Sequence, residues 1–235
     1  MQPARVDGWL QQLGRALWLG RCLACGEPGG AGRDLCAACA AALPWNRCAC
    51  PRCALPLPAP APACGACLRR PPPLAAVHAA CLYAAPLDRL LPRFKFHEDL
   101  AAGRLLAQLM AQACAGLPRP DALVPVPLHR ARLRRRGYDQ ALELARPLAR
   151  TLGLPLHAGL LRRARATAAQ SELDAAARRR NLRGAFDVAR AGPMPGHVVL
   201  VDDVMTTGAT LHAAAVALRR AGVARVEAWV CARVP

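Results

Sequence analysis

Four Cys-x2-Cys pairs at one repeating spacing constrain this chain more than anything else in it. Cys22 and Cys25 are followed, after ten residues, by Cys36 and Cys39; Cys50 and Cys53 are followed at the same interval by Cys64 and Cys67. Each cysteine of the second set lies 28 positions beyond its counterpart in the first, so the segment is an internal repeat. A Cys-x2-Cys turn holds two thiolates on one cation, and two such knuckles complete a tetrahedral four-sulfur site with Zn–S distances of about 2.3 Å. With every ligand a sulfur and no position left for water, the pattern predicts structural Zn2+ and not a catalytic metal. Such binding supplies on the order of 10–16 kcal/mol, which a short segment with few large apolar side chains needs in order to fold. Redox dithiols or disulfides are the competing reading; four evenly spaced pairs without a secretion signal argue against it. Sequential sites fit the tandem repeat best, a cross-braced arrangement joining the first knuckle to the third is the alternative, and Cys48 is placed to substitute for a neighbour.

Nine of the 12 cysteines precede residue 70, and Arg69 and Arg70 then lead into Pro71, Pro72 and Pro73. Prolines neither continue a helix nor donate to a sheet, so this is a natural linker. The expected organisation is an N-terminal amphipathic helix over 1–20, carrying Trp9, Leu10, Leu13, Ala16 and Leu17, a double zinc ribbon over 21–70, and a larger unit over 71–235. Gln11, Gln12 and Arg15 interrupt its apolar positions, so it reads as amphipathic and not as a continuous apolar signal core. No uncharged apolar run approaches the roughly 20 residues of a membrane span, so the expectation is a cytoplasmic protein with no membrane partner. Cys81, Cys114 and Cys231 lie in apolar surroundings and read as core residues.

Beyond the linker, apolar runs alternate with helical stretches. Ala122 to Val126 reads as a strand, and Tyr138, Ala141, Leu142, Ala145, Leu148, Ala149 and Leu152 fall at helical spacing. A strand from His197 to Val201 precedes a helix bearing Leu211, Ala214, Ala215 and Leu218, which Arg219, Arg220 and Gly222 suit as a C-terminus. A last strand runs from Val223 to Val230. This order predicts an α/β fold, a parallel sheet flanked by helices.

The segment from His197 to Thr210 is the most informative for chemistry. Its buried strand ends in Asp202 and Asp203, where open parallel sheets place their ligands. Thr206, Thr207, Gly208, Ala209 and Thr210 then open the next helix, and free backbone N–H groups, hydroxyls and the helix dipole make an anion cradle. Carboxylates beside an anion site suit a ligand that carries both a phosphate and a vicinal diol, as ribose 5-phosphate does.

This run resembles the 5-phosphoribosyl-1-pyrophosphate (PRPP) signature of type I phosphoribosyltransferases. The resemblance implies that Asp202 and Asp203 contact the ribose hydroxyls and that the loop from Thr206 to Thr210 holds the 5-phosphate, with Mg2+ arriving alongside PRPP. Pro125-Val-Pro-Leu-His129, Arg132 and Arg136-Gly-Tyr-Asp-Gln140 look like the competence protein F family, also called amidophosphoribosyltransferase-like. So do Leu161 to Phe186, with Arg163, Arg165, Thr167, Gln170, Arg178 and Asn181, and Phe94-Lys95-Phe96 after Tyr83. That family carries a double zinc ribbon ahead of a type I phosphoribosyltransferase fold, and the resemblance spans nearly the whole chain. Two departures stand out. The family often has Asn where this chain has Asp139, and transferases acting on 6-oxopurines carry a carboxylate where this chain has Thr206, which counts against hypoxanthine or guanine.

The formal charge is +17, yet Lys95 is the only lysine, and such an Arg-for-Lys bias is compositional before it is functional. The arginines cluster at 130–136, 162–165 and 178–183. In a transferase some of them neutralise the departing pyrophosphate; Arg136 and Arg178 are the catalytic candidates, while His129 is a weaker one. The stretch from Arg163 to Arg180 lacks a strand pattern and suits a hood loop closing over PRPP. Two functional readings result. The first is a PRPP-using phosphoribosyltransferase, a glycosyltransferase by reaction class. The second, drawn from the family's link to natural transformation, is a non-catalytic module for single-stranded DNA or competence-machinery proteins with a vestigial pocket. Aromatic residues at 4% make base-stacking sparse, Trp45 being one candidate. Fold and pocket alone do not establish turnover.

Overall fold

The computed structural model describes residues 20–30, 32–164, 184–189 and 192–235. The expected helix over 1–20 falls almost wholly outside them, as do Arg165, Thr167, Gln170, Arg178 and Asn181. Short helices α1 (Ala37–Ala41) and α2 (Gly65–Arg69) belong to the cysteine module. They are followed by strand β1 (Val77–Leu82), α3 (Leu87–Phe96), α4 (Leu100–Cys114), β2 (Ala122–Pro125), α5 (Arg130–Arg136) and α6 (Gln140–Leu152). The chain continues with β3 (Leu161–Arg163), β4 (Phe186–Val188), β5 (His197–Met205), α7 (Ala209–Arg220) and β6 (Arg225–Arg233).

Four strands form one all-parallel sheet in the order β1-β6-β5-β2. Val198 to Val201 and Val226 to Ala232 are buried in unbroken runs, as strands covered on both faces must be. One core lies between the sheet and α3, α4 and α6, with Phe94, Leu106, Leu144 and Trp229 at its centre. A second lies under α7, built on Val124, Leu200, Leu211, Leu218 and Val226. Cys81, Cys114 and Cys231 are buried, as expected of core residues. Among the described residues, the strands and helices expected beyond the linker are present; β5 runs on to Met205, and β6 begins at Arg225, not Val223, and runs on to Arg233. Among the described residues, no helix is long and apolar enough to cross a membrane.

The 28-residue repeat is structural as well as sequential. Gly26 N–H donates to Cys22 O and Ala54 N–H to Cys50 O, each at 2.8 Å, and both turns close with a positive φ, 83° at Gly26 and 55° at Ala54. Isolated bridges pair Arg21 with Pro28 and Ala49 with Pro56, and Cys36 and Cys64 stand as equivalent N-caps before α1 and α2. The module is bound to the sheet along its edge. Asn46 N–H donates to Ala80 O (3.1 Å), Leu82 N–H to Pro44 O (2.8 Å) and Val77 N–H to Pro51 O (2.9 Å), so the outer side of β1 is covered. On the helical side, Arg93 donates to Leu23 O (2.7 Å) and Arg104 pairs with Asp34 (2.5 Å).

Candidate ribose-phosphate site and metal centres

The eight thiols of the four pairs converge in two groups, Cys22, Cys25, Cys36 and Cys39, and Cys50, Cys53, Cys64 and Cys67, with all sulfurs of a group within 4.8 Å of one another. The gathered pairing is the sequential one, and Cys48 belongs to neither group. Four thiolates held at about 2.3 Å from one ion stand roughly 3.8 Å apart at the corners of a tetrahedron. The Cys25–Cys36 and Cys53–Cys64 sulfurs are each 3.7 Å apart, so the donor set fits Zn2+ in size and chemistry. Burial raises the Cys22 thiol, but the backbone N–H groups of Cys36, Cys25 and Ala24 outweigh it and bring it down to about 6. The same opposition, led by the Cys67 N–H, brings Cys64 down to about 7. Cys22 and Cys64 therefore ionise first in their groups, while side-chain hydrogen bonds with Cys25 and Cys36 push Cys39 up to about 12.

The other site opens where the sheet loses a strand. Strand β2 leaves the ladder at Pro125, opposite Val201, while β5 continues to Met205 supported only by β6. Asp202 and Asp203 therefore sit at the first unpaired positions on the β2 side, in a cavity of about 410 Å³ at the strands' C-terminal ends. Each carboxylate is oriented by the next backbone N–H: Asp203 N–H donates to Asp202 Oδ1 at 2.9 Å, and Val204 N–H to Asp203 Oδ1 at 2.7 Å. Burial, then the neighbouring Asp203 charge, pushes Asp202 up to about 8.

Thr206, Thr207, Gly208, Ala209 and Thr210 line the same cavity and open α7. Thr207 Oγ1 accepts a long bond from Ala209 N–H (3.4 Å). Gly208 is the N-cap, at φ 74°, and a Cβ there would run into Met205 Cε and come 3.1 Å from His212 Nε2. The left-handed φ is what favours glycine, and a Cβ would also have to displace the Met205 methyl at the end of its side chain.

Arg136, from the last turn of α5, reaches the cavity; its guanidinium donates to Gln140 Oε1 (2.6 Å) and lies 5.4 Å from the Phe96 ring centroid. Arg132, Arg135 and Arg163 line the cavity too. Arg163 lies on β3, paired with β4, so the segment expected to lack a strand begins on one. The spacing missed it because three residues are too few to show alternation. His129 is the N-cap of α5, its Nδ1 accepting from Ala131 N–H (3.2 Å), which gives it a structural task. Asp139 caps α6: Oδ1 accepts from Leu142 N–H (3.1 Å) and Oδ2 from Leu128 N–H (3.0 Å). Both oxygens are used, whereas an Asn there has one acceptor.

Sequence reasoning did not assign Lys95 to the site. From the last turn of α3, its Nζ lies 2.8 Å from Asp203 Oδ2; just beyond it Glu98 takes φ 55° and Asp99 caps α4 through Ala102 N–H (2.9 Å). Burial lowers the Lys95 pKa, but the Asp203 charge and hydrogen bond outweigh it and leave the group raised. A lone lysine in an arginine-biased chain was the available signal.

At the C-terminal edge, Arg233 on β6 donates from Nε to Cys53 O (3.0 Å) and from Nη1 to Met205 O (3.2 Å). One guanidinium thus joins the second thiol group to the residue just before the Thr206 loop.

Comparison with known proteins agrees with this layout. The double zinc ribbon domain family matches residues 14–68, and the phosphoribosyl transferase domain family matches residues 139–235. DNA utilization protein YhgH of Salmonella typhi is 44% identical over 158 residues, covering 64% of this chain and 69% of that protein. Competence protein F of Haemophilus influenzae is 40% identical over 159 residues at the same coverage, and YhgH of Escherichia coli K12 is 39% identical over 158.

Proposed function

Since the chain belongs to the competence protein F family, we propose that it is a PRPP-binding, phosphoribosyltransferase-like protein of the cytoplasm, linked to DNA uptake in natural transformation. The observation that carries the ligand is the carboxylate pair beside an anion cradle: Asp202 and Asp203 end β5 within one cavity with the Gly208 turn and the N-terminus of α7. A phosphate needs the cradle, a diol needs the acceptors, and PRPP has both. In this reading 71–235 is the ligand-binding unit and 21–70 the structural zinc unit.

Asp202 and Asp203 accept hydrogen bonds from the ribose hydroxyls, and the backbone and hydroxyls from Thr206 to Thr210 hold the 5-phosphate. Mg2+ binds through one or two carboxylates together with substrate phosphates; Asp202 and Asp203 are the carboxylates that fit, and the ion would offset pyrophosphate charge. Transfer breaks the bond between ribose C1 and the pyrophosphate oxygen, with its electron pair leaving on pyrophosphate, while the acceptor's lone pair closes on C1. Arg136, Arg132 and Arg163 then face the accumulating charge. Arg178, the other catalytic candidate, lies outside the described residues.

A second reading, a binding module for single-stranded DNA or competence-machinery proteins, draws on the relatives named for DNA utilization and on a separate groove bearing Arg52, Arg219 and Arg220. Calorimetric titration of the zinc-loaded protein with Mg2+·PRPP, beside an Asp202→Asn/Asp203→Asn double variant, separates the two. Binding that the variant loses supports the PRPP site. No binding by either protein overturns it and leaves the DNA reading, with affinity and salt slope as the next measurement.

A further inference from the structure

Lys95 stands in the last turn of α3 with its Nζ 2.8 Å from Asp203 Oδ2, and both residues line the cavity. The two residues before it fix that turn. Phe94 is fully buried, its ring 5.7 Å from that of Tyr138, and Arg93 is held by Asp99 and by Leu23 O, each at 2.7 Å. The carboxylate pair is otherwise engaged with backbone: Asp202 Oδ1 and Asp203 Oδ1 each accept the N–H of the following residue. Lys95 takes the oxygen of Asp203 that the backbone leaves. Its ammonium thus fills, on that oxygen, the position a divalent cation would coordinate, and the two cannot share it without cations meeting at contact distance. The surrounding charge acts in the same sense. Among the described residues, five cationic side chains, Lys95 and four arginines, line the cavity against three carboxylates. Such a surplus repels a bare divalent ion and draws in a phosphorylated ligand. The lysine is also free to leave: its side chain keeps 32% of its surface in solvent on a flexible four-carbon stem, whereas that of Asp203 keeps 8%.

We propose that Lys95 is a tethered counter-cation that holds Asp203 in place of Mg2+, so that the carboxylate pair takes no divalent ion until a phosphorylated ligand brings one. The inference rests on the ribose 5-phosphate reading of Asp202 and Asp203 and adds an order to it. Ion and pyrophosphate-bearing ligand load together, since Mg2+ needs substrate phosphates beside one or two carboxylates, and Lys95 gives up Asp203 Oδ2 as they do. Ribose 5-phosphate, which has no pyrophosphate, binds without Mg2+, because Lys95 already balances the Asp203 charge.

The test titrates the zinc-loaded full chain with Mn2+ alone, read by the paramagnetic resonance of the free ion. The parent is expected to bind weakly and Lys95→Met about tenfold or more tightly, the scale of removing one unit charge a few ångströms from a divalent ion. Lys95→Arg is expected to bind as weakly as the parent, and a Lys95→Met/Asp203→Asn double variant to lose the gain. A lysine with a merely structural role would not raise metal affinity on removal, and thermal unfolding confirms that each variant folds. Equal Mn2+ affinity in the parent and Lys95→Met, or a gain that survives Asp203→Asn, overturns the counter-cation. Ribose 5-phosphate is then titrated into the parent with and without Mg2+. Equal binding supports the proposal, and binding that requires Mg2+ overturns it while leaving the ribose site standing. Failure of ribose 5-phosphate to bind under either condition overturns the ribose reading and the loading order with it.

Discussion

Lys95 Nζ lies 2.8 Å from Asp203 Oδ2, so the chain's single lysine is the counter-ion of a carboxylate only 5% exposed. The pair ties α3 to the end of β5 across the mouth of the cavity. Lys95→Met strands the carboxylate and should cost ~1–3 kcal/mol at pH 7, less than a fully buried pair because the lysine is partly solvated. A double-mutant cycle with Asp203→Asn checks this in denaturant unfolding. Additive losses would mean that the two groups do not stabilise one another.

Asp202 carries a pH signature. Its folded pKa, about 8, lies above the ordinary value of 3.8, so the native state holds a proton that the unfolded chain gives up. Its contribution to stability is full below about pH 4, declines as pH rises through the window, and is gone above 8. Asp202→Asn should flatten this decline, matching the parent near pH 4 and exceeding it at pH 8. Thermal unfolding from pH 4 to 9 reads the difference, and parallel curves would refute it.

Gly208→Ala puts a Cβ at φ 74° against the buried Met205 side chain. A loss of ~1–3 kcal/mol is expected, with ribose 5-phosphate binding weakened about tenfold or more as the turn's N–H groups are displaced. Differential scanning calorimetry and titration on one sample measure both.

Arg233 is not among the residues lining the cavity, yet it spans Cys53 O and Met205 O. Arg233→Met should weaken ribose 5-phosphate binding several-fold while the protein retains its zinc. Removing zinc with a chelator should weaken binding in the parent and add little in the variant. Metal content and affinity, measured together, distinguish this coupling from simple unfolding.

Local chemistry was legible in the sequence, and long-range pairing was not. The thiol groups, β5 and the turn into α7 rest on spacings of two to ten residues, and periodicity reports such distances directly. The order β1-β6-β5-β2 brings residues about 150 positions apart into one ladder, as Val77 and Ala228 show. Nothing local announces that pairing. Lys95 escaped for the same reason: its partner lies 108 positions away. Arg136 was singled out from its cluster in the sequence, and the fold supplies what the sequence could not, its setting against Phe96 and Gln140.

The covered edge of β1 has a consequence for the life of the chain in a cell. Pro44, Asn46 and Pro51 occupy hydrogen-bonding groups of that strand from a segment that the cysteine turns hold together. A newly made chain starved of metal would present β1 as an open template, and open templates recruit copies of themselves. A chain denied zinc is therefore expected to self-associate, which gel filtration before and after chelation reads.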